Sequence, residues 1–187
     1  QFEVPGDLEQ IPNDLSIEDR WIISEFQNTM SNVKHSWENL DIYSATQALK
    51  SFGTGILPSH YLEMVKSRLY DEDKNAAWTL HRIVRDFMSA FSPICPFFTH
   101  HISTTIYGKS AVEVDKFPEN FVTELDSKSA EGEELRNLSN ELQAFNSEVW
   151  STKKENGISL NQPISGVVIP ENLKLFSEVF SRMHKLE

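Results

Sequence analysis

The sequence predicts an all-α protein, an antiparallel helical bundle with a small C-terminal appended segment. Three observations carry this expectation. Large apolar residues recur at steps of three and four over most of the chain, the spacing of one helix face. Alternation of apolar and polar residues, which would mark strands, is confined to a few short stretches. Pro, Gly, Asn and Asp fall between the periodic runs, where helices start and stop. Amphipathic runs joined by short turns bury their stripes by packing antiparallel.

The elements follow in order. Residues 1–15, with Pro5, Gly6, Pro12 and Asn13 among scattered acids, show no sustained period and read as an extended lead-in. Ser16 followed by Asp19 supplies a helix start, and Ile22, Phe26, Met30, Val33, Trp37 and Leu40 continue at helical steps. Asn39 and Asp41 mark a turn into a second run carrying Ala45, Leu49, Phe52 and Ile56, resumed by Leu62, Val65 and Leu69. Gly53, Gly55 and Pro58 interrupt it, so this element is expected as one helix bent near Pro58, or as two. Asp71 and Asp73 start a third helix with Ala77, Leu80, Val84, Phe87 and Phe91, closing at Ser92 and Pro93. Pro96 opens a shorter fourth with Phe98, Ile102 and Ile106, and Gly108 ends it. A short extended piece is expected at 111–115, then an acidic loop. Leu135, Leu138, Leu142, Phe145 and Val149 form a long, coiled-coil-like helix stopping at Asn156 and Gly157. A short strand at 166–169 and a last helix with Leu173, Phe176, Phe180 and Met183 complete the chain. The expected division is a lead-in at 1–15, a bundle at 16–125, and a C-terminal helix with a small α/β appendage at 126–187.

Composition narrows the function. With 187 residues, 39% hydrophobic and 24% charged, the chain is long enough to bury a core without disulfides or metal. Its single cysteine, Cys95, fits a reducing compartment, and no apolar run approaches the length that spans a bilayer, so a cytoplasmic domain is expected. The net charge of -11 argues against a tight, nonspecific DNA binder. That charge is unevenly spread, however. Residues 1–20 carry one basic against six acidic side chains, residues 111–148 carry three against ten, and the remainder is close to neutral. A local basic patch is therefore compatible with the total.

Candidate catalytic features are absent. His100 and His101 are neighbours pointing about 100° apart on a helix, without a third ligand at the helical spacing. The Asp71, Glu72, Asp73 run reads as a helix cap, and Gly53, Thr54, Gly55 lacks the strand and lysine of a phosphate-cradling loop. No serine elbow or zinc-protease signature occurs. The densest cluster of cations and aromatics lies elsewhere: Lys66, Arg68 and Tyr70, then Lys74, Trp78, Arg82 and Arg85 on one helix face. Trp21, beside Arg20, is either a ring for base stacking or part of the core.

Several strings together carry a resemblance. Asp19, Arg20, Trp21, Ile22 and Ile23 resemble the "DRWI" opening of the anticodon-binding helical bundle in the valyl, isoleucyl, leucyl and methionyl branch of class I aminoacyl-tRNA synthetases. The stretch from Tyr61 to Tyr70 is similar to that domain's "WYLE-x-x-K-x-R-L" segment. Phe91, Ser92, Pro93, Ile94, Cys95, Pro96, Phe97 and Phe98 are similar to its helix pair "P-F-x-P-F". Lys116, Phe117 and Pro118 stand where it has a Trp-Pro, and the string from Gly157 to Ile164 looks valyl-like. In this order and spacing the strings cover residues 15 to 169. The chain departs from the pattern at 52–58, where the family has a Trp and acidic residues, and at His100 and His101, where it has a Glu pair.

The resemblance implies a domain that binds the tRNA anticodon stem and loop, with tRNA(Val) as the expected partner because the valyl member is the most similar. It implies no catalysis and no cofactor in the chain itself. Neither "HIGH" nor "KMSKS" nor a sheet for ATP appears, so ATP binding, aminoacylation and editing would belong to upstream domains of the same protein. Gln1 in place of an initiating Met and the Leu186, Glu187 end agree with an excised piece. A monomer that binds neither membrane nor DNA is expected. By resemblance, Arg20 and Trp21 would meet the anticodon bases, and Lys66, Arg68, Arg82 and Arg85 the RNA backbone. The competing expectations are the same domain from the isoleucyl, leucyl or methionyl enzymes, or a helical interaction domain that docks a partner on the 135–149 stripe.

Overall fold

The computed structural model describes residues 3–109 and 130–187. Helix α1 spans Ile17–Glu38, with Glu18 and Asp19 in its first turn, where carboxylates complement the positive helix end. Its stripe of Ile22, Phe26, Met30 and Val33 is buried. Two expected members leave that stripe. Trp37 is half-buried, and Leu40 lies past the helix end at a φ of 59° with 85% of its surface exposed. Residues 39–41 must reverse the chain into α2, Ile42–Ser51, which Asp41 caps by accepting from the Ser44 amide at 3.0 Å.

Helix α2 does not break at Gly53 or Pro58. It runs through a π-helical stretch, Phe52–Tyr61, directly into α3, Leu62–Tyr70. The wider π turn accommodates Pro58, whose ring would strike the preceding turn of an α-helix. Gly53 is needed for a close approach: a Cβ there would lie 2.6 Å from the Phe87 ring. Phe52 sits between Phe26 and Phe87, with ring centroids at 5.2 and 6.2 Å. The expected bend is therefore a change of helical pitch.

Helix α4, Lys74–Phe91, is capped by Asp73, whose carboxylate accepts from the amides of Asn75 and Ala76. Its innermost face carries Ala76, Thr79, Ile83 and Ala90, whereas the expected stripe of Ala77, Leu80, Val84, Phe87 and Phe91 is half-buried. The helix is flanked by α1 and by α5, Pro96–Tyr107, so two faces share its apolar residues. Helix α5 starts on Pro96 and ends on Gly108, which takes the left-handed conformation that glycine adopts without strain. It buries Thr99 and Ser103; Phe98 is 54% exposed and Ile102 and Ile106 only half-buried. Tyr107 ties it to α4 by donating to the His81 carbonyl oxygen at 3.1 Å. The extended piece expected at 111–115 and the string Lys116, Phe117, Pro118 lie outside the described residues.

Helix α6, Ala130–Glu155, buries Leu135, Leu142, Phe145 and Val149 against α1 and the C-terminal segment. That stripe is occupied within the chain, so it is not available to a partner helix. The C-terminal segment comprises a 3-10 turn, Glu171–Phe176, and α7, Ser177–His184, with the Phe180 ring packed at a tilt against Phe145, centroids 4.6 Å apart. Among the described residues there is no strand. The one expected at 166–169 is absent because four residues with no neighbouring strand gain too little from pairing. Only an isolated parallel bridge joins Ile164 to Leu186.

Buried polar groups fasten this segment. Lys153, fully buried, donates from Nζ to the carbonyl oxygens of Leu160, Gln162 and His184 at 3.0, 2.7 and 2.7 Å. The valyl-like string is thus wound around one ammonium. Burial lowers the Lys153 pKa, with a smaller push from Lys185. His184 Nε2 donates to Asn146 Oδ1 at 2.8 Å, and Asn146 Nδ2 faces His60 Nδ1 at 3.4 Å. Burial and the charge of Lys153 push the His184 pKa down to about 4, and burial lowers that of His60.

Candidate nucleic-acid interface

The two strings that open the resemblance meet in space. Arg68 on α3 donates from Nη2 to Asp19 at 2.8 Å, from Nη1 to Glu18 at 3.0 Å and from Nε to Asp73 at 2.9 Å. Tyr61 donates its hydroxyl to Asp19 at 2.7 Å, and Arg182 on α7 reaches Glu18 at 2.7 Å. Asp19 is fully buried and Arg68 is 8% exposed. Burial raises the Asp19 pKa, against the hydrogen bonds from Arg68 and Tyr61 that favour its charged form. Burial alone would lower the Arg68 pKa, but Asp19, Asp73 and Glu18 outweigh it and push it up. The cluster holds α1, α3, α4 and α7 together. The helical strings therefore have a folding role, and Arg68 is withdrawn from RNA.

Trp21 is fully buried, and its ring N–H faces Ser139 Oγ at 3.3 Å across the α1–α6 contact. It is a core residue and cannot serve as a stacking ring in this fold. Arg20, one position earlier, points to the surface and pairs with Glu131 at the start of α6. Ser24, fully buried, donates to the Gly132 carbonyl oxygen at 2.9 Å, so the α1–α6 seam includes a buried polar contact.

Lys66, Tyr70 and Lys74 are exposed at the α3–α4 corner, with Tyr70 71% exposed and Lys66 beside Glu63 at 3.2 Å. Tyr70 and Lys74 line a cleft of about 750 Å³, closed on its other side by Val4, Pro5 and Gly6. The lead-in continues along α4. Leu8 is buried, Asn75 Nδ2 donates to the Asp14 carbonyl oxygen at 2.8 Å, and Trp78 is covered, at 3% exposure. The predicted face of Lys74, Trp78, Arg82 and Arg85 does lie on one side of α4, but the lead-in lies over it.

Arg82 and Arg85 share two carboxylates. Asp86, 6% exposed, accepts from both Nε atoms at 3.0 Å. Glu9 accepts from the two Nη1 atoms at 2.9 and 2.7 Å, and Arg82 Nη1 also donates to the Leu8 carbonyl oxygen at 2.8 Å. The hydrogen bond from Arg85 lowers the Glu9 pKa in spite of partial burial. Burial would lower the Arg85 pKa, but Asp86 and Glu9 reverse the direction. Sequence reasoning found the cations here and missed their partners. The i,i+4 spacing of Arg82 and Asp86 was a legible signal; the pairing with Glu9 was not, because it links residues 73 and 76 positions apart. His100 and His101 are both exposed, and among the described residues no group of three or more His, Cys, Asp or Glu is placed to hold a metal ion.

Residues 19–169 match the family described as the anticodon-binding domain of tRNA ligase. The chain is 32% identical over 155 residues to valine–tRNA ligase of Saccharolobus solfataricus, covering 82% of this chain and 18% of that protein. It is 32% identical over 163 residues to valine–tRNA ligase of Methanothrix thermoacetophila (84% and 17%), and 26% identical over 173 residues to that of Methanosarcina acetivorans (88% and 19%). The chain thus spans about a fifth of the length of these curated relatives. The matched span contains both halves of the Asp19–Arg68 cluster and the string caged by Lys153, and the fold is an all-α bundle throughout that span as far as it is described. The chain belongs to the anticodon-binding domain family of the tRNA ligases.

Proposed function

We propose that this chain binds the anticodon stem and loop of tRNA(Val) as the recognition domain of a valine–tRNA ligase. Aminoacylation, with its ATP, would belong to domains outside the chain. The observation that carries the reading is the family match over residues 19–169, together with valine–tRNA ligases as relatives over more than 80% of the chain. The surface supplies suitable groups. Lys66 and Lys74 can pair with phosphates around the α3–α4 corner, Arg82 and Arg85 farther along α4, and Arg20 at the α1–α6 edge.

Titration of labelled tRNA(Val) at low and moderate salt tests this. Weak binding is expected, falling steeply with salt, because each phosphate contact to a flexible strand contributes about 0.7 to the logarithmic salt slope. An unrelated tRNA should bind less well. Equal affinity for both would remove the claim of specificity, and no binding at the lowest salt would remove the claim of RNA recognition by the isolated chain.

A further inference from the structure

We infer that Glu9 occupies, within the chain itself, the place of an RNA phosphate on α4, and that a backbone phosphate of the bound tRNA displaces it from Arg82 and Arg85. This rests on the anticodon-binding reading and adds a competitor built into the lead-in. The geometry is that of an anion fork. One carboxylate receives one Nη1 donor from each of two guanidinium groups, at 2.9 and 2.7 Å, and a phosphate likewise presents two oxygens on one centre. Asp86 holds both Nε edges from below at 3.0 Å, so the Nη1 edges stay aimed outward whether or not Glu9 is present.

Exposure says which member moves. The side chain of Glu9 is 72% exposed, against 13% for Arg82 and 28% for Arg85. The lead-in does not have to detach, because Leu8 is buried, its carbonyl oxygen is held by Arg82, and Asp14 is held by Asn75. Rotation of one glutamate side chain into water vacates the fork. An exposed carboxylate is a weak competitor, so it attenuates binding and does not abolish it.

Fluorescence anisotropy with a labelled anticodon hairpin of tRNA(Val) and the 187-residue chain provides the test. Glu9→Gln should tighten binding about two- to fivefold, the worth of an exposed ion pair. That gain should vanish in an Arg85→Gln background. Asp14→Asn removes the same charge from the same lead-in without touching the fork or the cleft and should have a much smaller effect. Wild-type binding with no gain in Glu9→Gln, or an equal gain in Asp14→Asn, overturns the inference and leaves the anticodon-binding reading standing. Failure of the wild type and every variant to bind the hairpin at low salt overturns both. Thermal unfolding of each variant, unchanged within a few degrees, assigns the differences to binding.

Discussion

Replacing Arg68 with Met isolates the largest charged cluster in the bundle. The substitution keeps much of the apolar stem and removes three hydrogen bonds, to Asp19, Glu18 and Asp73. The partners are affected unequally. Glu18 retains Arg182 at 2.7 Å, and Asp73 retains the amides at the start of α4. Asp19, fully buried, is left with the Tyr61 hydroxyl alone. An uncompensated buried charge of this kind costs about 3–5 kcal/mol, a large part of the 5–15 kcal/mol typical of a folded domain. Urea unfolding followed by far-ultraviolet circular dichroism should show a loss of that size at neutral pH. The pH dependence gives an independent check. Burial raises the folded-state pKa of Asp19 already, and losing Arg68 raises it further. A carboxyl whose folded pKa is raised costs stability above that pKa, and the cost shrinks as pH falls toward the ordinary carboxyl value. The gap between variant and wild type should therefore narrow on acidification. A loss below about 1 kcal/mol at neutral pH, or a gap that widens in acid, would refute the argument that Arg68 compensates a buried Asp19.

Three further outcomes are expected. Trp21→Ala should destabilise the chain by about 3–5 kcal/mol, since it empties a fully buried site; retained stability with weakened RNA binding would return Trp21 to the interface. Lowering the pH from 7 to 5 should cost the wild type about 2 kcal/mol more than His184→Gln, because the unfolded imidazole takes its proton near 6.5 and the folded one only near 4; parallel pH profiles would dismiss this. Lys153→Met leaves three carbonyl oxygens without their shared donor, so hydrogen exchange should accelerate across 158–187 ahead of α1–α4. Uniform acceleration would show that the C-terminal segment unfolds together with the bundle.

The helices were legible because their causes are local. Asp41 and Asp73 cap the helices they precede, Pro96 and Gly108 bound α5, and the run from Ile22 to Val33 is inward at every predicted step. What misled was the assumption that periodicity also names the buried partner. Leu40 keeps the helical step, yet the chain has already turned there, and α5 packs through Thr99 and Ser103 while Phe97 stays 91% exposed. Gly53 and Pro58 signalled a break, but the π turn is a third solution that conserves the helix. The candidate site was less legible still. Trp21 and Arg68 look like recognition residues in one dimension, and only the fold shows that Ser139 and Asp19 have already taken their polar atoms.

This outcome follows from what a family string can encode. A short motif survives reading from sequence when its residues are fixed by contacts made at set spacings, and a buried ion-pair cluster imposes that more strictly than a surface does. Asp19, Tyr61 and Arg68 belong to two strings because one carboxylate needs both of the others, and the string after Gly157 surrounds Lys153 because one ammonium needs three carbonyls. RNA contact imposes less on the sequence, since a phosphate accepts any cation within reach. The same logic accounts for an RNA-binding family member with a net charge of -11. Arg68 is held inside the fold, Arg20, Arg82, Arg85 and Arg182 are each held by a carboxylate of the chain, and the exposed cations among the described residues are mainly lysines such as Lys34, Lys50, Lys66 and Lys74. Forked recognition of a phosphate by arginine in such a domain requires that a carboxylate give way, which makes the state of a single exposed pair such as Glu9 with Arg85 consequential.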